Sequence, residues 1–94
     1  MDESKTVIKE FDLVRVVALL ENDRPFSGSD GVCRAPRIGD LASVAHVLEP
    51  GRAFIVEAVD SEGYTLWLAD FYAEELQLVK HPHGLDRGRK KRGR

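Results

Sequence analysis

The chain contains a single cysteine, Cys33, so no disulfide can close within it, and this agrees with a reducing compartment. No apolar run approaches the ~20 residues of a membrane-spanning helix. The opening Met1-Asp2-Glu3-Ser4-Lys5 is acidic and lacks the hydrophobic stretch of a signal peptide. These absences lead us to expect a cytoplasmic protein. Phosphate-cradling loops are also missing: there is no Gly-x-x-x-x-Gly-Lys-Ser/Thr, and no Gly-x-Gly-x-x-Gly follows a strand. Internal repeats are absent.

Metal-binding and nucleophilic sets are equally thin. His81-Pro82-His83 offers two imidazoles, but the proline restricts their geometry. No cysteine or third histidine is spaced to complete a tetrahedral site, so the segment reads as a solvated linker. Cys33 lies near Asp30 and Arg34 in a glycine-bearing loop, and His46 is the one in-domain base available to it. His46 itself alternates with Val44 and Leu48, which reads as a histidine of a barrel wall. Glu74 and Glu75 are adjacent on a short helical turn and point apart, so they form no acid/base pair. The expectation is a protein with no catalytic residues, no cofactor and no bound metal.

What the chain does have is enough apolar content, 43% of 94 residues, for one folded domain. Its net charge of −2 hides an asymmetry. Residues 1–84 hold eight Lys and Arg against fifteen Asp and Glu, a balance of −7, whereas residues 85–94 carry +5. Blocks of like charge are usually disordered interaction tails, and glycines at 84, 88 and 93 loosen this one further. Apolar content ends near residues 80–82. The expected organisation is an N-terminal extension over 1–10, a folded domain over 11–81 and a basic tail over 82–94.

The domain reads as short strands with turn punctuation. Residues 42–48 are apolar and β-branched at Val44 and Val47. Glu49-Pro50-Gly51-Arg52 is a turn signal. Ala53–Val59 alternates, with Phe54, Val56 and Ala58 on one face. Asp60-Ser61-Glu62-Gly63 turns the chain again, and 64–68 returns it. Asp70 is a plausible cap for a helical turn carrying Glu74 and Glu75, and 77–79 makes a closing strand. Further upstream, Val7, Phe11, Val14 and Ala18 recur at helical spacing, whereas the β-branched run from Val14 to Val17 favours a strand over 14–20. A long loop with Pro25, Gly28, Gly31 and Pro36 spans 22–37, a length that marks functional or mobile segments. Strand, long loop, three-stranded meander, helical turn and final strand is the order of an SH3-like five-stranded all-β barrel.

Phe11-Asp12-Leu13-Val14, Ala18-Leu19-Leu20-Glu21, Gly39-Asp40 and Val47-Leu48-Glu49-Pro50-Gly51 resemble a bacterial family catalogued as domain of unknown function 4926. So do Ala53-Phe54, Val56-Glu57, Val59-Asp60, Glu62-Gly63 and Leu76. The resemblance runs from Phe11 to Val79 and implies a small SH3-like domain. More distantly, the pattern is similar to KOW-type RNA-associated domains and to the SH3-like parts of nitrile hydratase and photosynthetic accessory subunits. The chain departs from the family in having Ala42-Ser43 after the Gly-Asp turn, and in the length of its 22–37 loop. These are scaffold motifs and imply a fold, not an activity.

Tyr64, Trp67, Phe71 and Tyr72 cluster near the last strands, where SH3-like barrels can form a peptide-binding groove. Tyr64 and Phe71 are assigned to the core. Trp67 and Tyr72, with Phe26 from the flanking loop, are the expected partner-binding residues. Arg87, Arg89, Lys90, Lys91, Arg92 and Arg94 are the candidate polyanion-binding residues, since six cations in ten positions can displace counterions from phosphates. The leading functional expectation is a non-enzymatic accessory or adaptor module that docks on a protein partner. The alternatives are a nucleic-acid-associated protein acting through the tail, and an antitoxin or immunity partner.

Overall fold

The computed structural model describes residues 7–82. Five strands form one antiparallel sheet: β1 (Leu13–Val16), β2 (Leu41–Glu49), β3 (Ala53–Val59), β4 (Thr65–Tyr72) and β5 (Leu76–Lys80). A 3₁₀ turn, Ala73–Glu75, joins β4 to β5. The spatial order is β4-β3-β2-β1-β5, so β4 and β5 are edges and do not pair with each other. The strand reading of the N-terminal region therefore holds over the helical one, but the strand ends at Val16. There the chain turns away because the amides of Val17 and Ala18 both donate to the Glu75 carbonyl.

Both meander turns follow from their residues. Gly51 takes φ 76° between β2 and β3, a conformation costly for residues with a Cβ. In the next turn the Asp60 carboxylate accepts from the amides of Glu62 and Tyr64, each at 2.9 Å, an Asx-type closure that pre-shapes the bend.

Period-two alternation directs one face of each strand inward. Val14, Val16, Ala42, Val44, Phe54, Val56, Ala58, Trp67, Ala69, Phe71 and Leu76 form a single buried cluster. The sheet is open, with β4 and β5 unpaired to each other, and with no second layer among the described residues its inward side chains pack against one another in this cluster. Ile8 joins it, so part of the stretch expected to be an extension packs with the body. Bulges interrupt the β2–β3 register and bend a strand locally. Val44 pairs with Val56 and His46 with Ile55, which leaves Ala45 as an extra residue on β2. That single insertion reverses the parity of the strand. His46, expected in the barrel wall, is exposed instead, and Val47 turns toward the core. The other histidine expectation also changes. His81, read as part of a solvated linker, has its Nδ1 2.8 Å from Oδ1 of the buried Asp12.

The long loop between β1 and β2 does not hang free. Ser27 exchanges both backbone hydrogen bonds with Leu68, the Ser29 amide donates to the Thr65 carbonyl, and the Arg34 amide donates to the Leu66 carbonyl. Residues 27–34 thereby cover the outer edge of β4 from Thr65 to Leu68, which would otherwise offer unpaired backbone groups to other chains. Gly28 makes the approach possible. A Cβ at that position would lie 2.8 Å from the Leu66 carbonyl oxygen and 2.9 Å from that of Thr65.

Candidate functional site

Residues left on the outer face of β3 and β4 build a groove of about 580 Å³. Ala53 and Ile55 from β3, Leu68, Asp70 and Tyr72 from β4, and Leu48 from the second bulge of β2 form its floor and one side. The other side is the loop segment Glu21, Arg24, Pro25, Phe26 and Ser27. Phe26 is 41% exposed and Tyr72 45%. These two sequence-predicted residues come from distant parts of the chain, and the fold brings them together.

Trp67, the third, does not join them. It is 0% exposed and forms part of the core. The physical reason is parity: on β4 it alternates with Ala69 and Phe71, which all point inward. Its ring centroid lies 5.2 Å from that of Phe71, and its Nε1–H donates to Asp40 Oδ2 at 2.8 Å. Tyr64, assigned to the core, is instead 54% exposed because it sits in the turn before β4 begins. Phe71 is buried as expected. Asp70 is not a helix cap. β4 continues through Tyr72, pairing Asp70 with Ile55 and Tyr72 with Ala53, and only then does the 3₁₀ turn start.

The groove wall is held by a buried ion pair that sequence reasoning missed. Arg24 Nη2 donates to Glu75 Oε2 at 2.5 Å, and the Arg24 guanidinium lies 4.1 Å from the Phe71 ring centroid. Glu75 Oε2 also accepts from the Leu20 amide, and Oε1 from the Tyr72 amide. Burial pushes the Glu75 carboxyl upward, but the hydrogen bonds from Arg24, Tyr72 and Leu20, with the Arg24 charge, outweigh it. The net result lies below the usual carboxylate range. Arg24 Nε is buried with no hydrogen-bond acceptor among the described residues. Arg24 and Glu75 lie 51 positions apart, so no local pattern could have paired them.

A second hub holds the far side of the same loop. Asp40 accepts a two-pronged bond from Arg34, at 2.9 and 3.0 Å, together with the Arg37 amide and the Trp67 indole. Burial raises its affinity for a proton, and these donors reverse that effect, leaving Asp40 below its ordinary range. Arg24 and Arg34 are thus both engaged structurally. Neither is left as a cation to attract an anionic ligand.

Cys33 is exposed. Among the described residues no three His, Cys, Asp or Glu side chains are grouped to hold a metal ion. No described helix is long and apolar enough to cross a membrane. The six basic candidates from Arg87 to Arg94, and the disorder expected of their segment, lie outside the described residues. No family model, curated protein or solved structure matches the chain.

Proposed function

We propose that the chain is a cytoplasmic, non-enzymatic adaptor module with an SH3-like barrel fold, docking on a protein partner through the groove between the 21–27 loop and the outer face of β3 and β4. The element order, strand, long loop, three-stranded meander, 3₁₀ turn and final strand, supports the SH3-like reading, while membership of the domain of unknown function 4926 family is proposed from the sequence motifs alone. The observation that carries the docking reading is that half-exposed Phe26 and Tyr72 both line one largely apolar groove of about 580 Å³. Pockets of roughly 300–1,000 Å³ with a few polar groups are the usual size for ligand sites, and partly exposed aromatics tend to dominate interface energy. Selection of a random peptide library on the intact protein tests this. The enriched peptides are expected to lose at least about tenfold in affinity for Phe26→Ala and Tyr72→Ala, a loss of ~1.4 kcal/mol, while near-ultraviolet circular dichroism stays unchanged. Enrichment of nothing, or equal binding to both variants, refutes the reading.

A second reading rests on the six cations of residues 85–94. If they bind nucleic acid, affinity is expected to fall roughly a thousandfold between about 50 and about 200 mM salt and to ignore base sequence. Titration with short duplex DNA and single-stranded RNA at both salt concentrations decides it. An absence of binding even at low salt removes this reading.

A further inference from the structure

We infer that the groove selects a cationic peptide segment, one that presents a Lys or Arg side chain to Glu21 and Asp70 and a bulky apolar side chain to Phe26, Leu48 and Tyr72. This inference rests on the docking reading and specifies the chemistry of the partner.

The first argument is charge. Glu21 and Asp70 both line the groove, and neither forms an ion pair among the described residues. Among the described residues Arg24 is the one basic residue lining it, and its charge is already committed to Glu75. Within the described residues the groove therefore presents two uncompensated carboxylates and no available cation. The surrounding body strengthens the field. Residues 7–82 hold seven Lys and Arg against thirteen Asp and Glu, a balance of −6. Such a surface repels phosphates and acidic segments and attracts basic ones.

The second argument is the mode of recognition. Strand addition at β4, which would bind a backbone with little regard to side chains, is blocked from Thr65 to Leu68, where residues 27–34 already pair with the edge, and beyond it the Tyr72 amide is taken by Glu75. A ligand in the groove is therefore held mainly by its side chains. Asp70 is informative here. It stands on the outer face of β4 between Leu68 and Tyr72, the one charged side chain in a row of groove-lining apolar ones. An apolar floor with an acidic centre fits a side chain pair of the same pattern.

The test uses the full chain and three capped hexapeptides: Gly-Leu-Arg-Leu-Lys-Gly, its Gln counterpart with both cations replaced, and its Glu counterpart. Amide shifts of the ¹⁵N-labelled protein report the site. The basic peptide is expected to shift Phe26, Leu68 and Tyr72 and to bind about fivefold more tightly than the Gln peptide, the scale of one partly exposed ion pair. Asp70→Asn and Glu21→Gln should each erase part of that preference, and added salt should reduce it. Equal affinity for the basic and Gln peptides overturns the charge inference and leaves the docking reading standing. Tighter binding of the Glu peptide also overturns it. If the basic peptide binds only when the six cations of residues 85–94 are replaced by Gln in the full-length chain, the occupant is the chain's own tail, and the partner assignment falls. No shift in either protein overturns the inference, and the library selection then decides the docking reading on its own.

Discussion

Glu75→Gln is the substitution that most sharply probes how the groove is held. The exchange keeps volume and shape and removes one charge. Arg24, buried against Phe71, loses its counter-ion among the described residues, and breaking a buried pair from one side costs about 3–5 kcal/mol. The amide also creates a conflict. The two carboxylate oxygens accept from three donors, namely Arg24, the Leu20 amide and the Tyr72 amide, so the new NH₂ group must face an N–H. Arg24→Met should be milder, at about 2 kcal/mol, because Glu75 keeps two backbone donors and the variant also removes the unmet Arg24 Nε. The double variant should cost less than the sum of the singles by at least about 1 kcal/mol, since the two groups are in direct contact. Urea denaturation reads these differences. With a slope near 1 kcal/mol per molar for a chain this small, Glu75→Gln should lower the midpoint by roughly 3 M or more. A Glu75→Gln protein within about 1 kcal/mol of the parent, or strict additivity in the double variant, would refute the reasoning.

Three further outcomes are expected. Phe54→Ala, at a fully buried core position, should cost about 3–5 kcal/mol and leave a domain of this size close to unfolding; a stable, cooperatively melting variant contradicts the placement. Gly28→Ala should loosen the 27–34 segment from β4, because the added methyl meets the Thr65 and Leu66 carbonyls, and faster amide exchange at Ser27 and Leu68 is the readout. Stability should fall on acidification. Glu75 and Asp40 hold their protons less tightly when folded, so their contribution is complete above the unfolded carboxylate range, about pH 3.9–4.3. It is lost as pH drops through the lower folded values, because the unfolded chain takes up protons first. A urea midpoint that stays flat from pH 5 to pH 3 contradicts this.

How much of this was legible in the sequence depends on the range over which each signal acts. The meander was legible because its signals are local. Ala53–Val59 alternates as a strand and folds as one, and Pro50-Gly51 and Asp60–Gly63 turn where turn chemistry places them. That Phe26 and Tyr72 share one groove agrees with a compositional signal, aromatic residues beside a long loop. Trp67 was misplaced although the information was present: it shares parity with Phe71, and a core assignment for one required it for the other. His46 is a different kind of miss. Strict alternation put it on the face of Val44, and only the unpaired Ala45 moves it to solvent. No residue in 44–47 announces a bulge, since the bulge arises from pairing β2 against β3. Arg24, Glu75 and Asp40 were beyond reach for the same reason. Each looks like an ordinary surface charge in its local context, and each becomes buried or partly buried only when the long loop folds back across the sheet. The side of the groove formed by the 21–27 loop thus depends on non-local charge pairs, while its floor depends on local alternation. This division gives the groove a test of its own. Variants of Arg24 or Glu75 should disturb Phe26 while leaving the Ile55 and Leu68 floor in register, whereas a β3 core variant such as Phe54→Ala should disturb both.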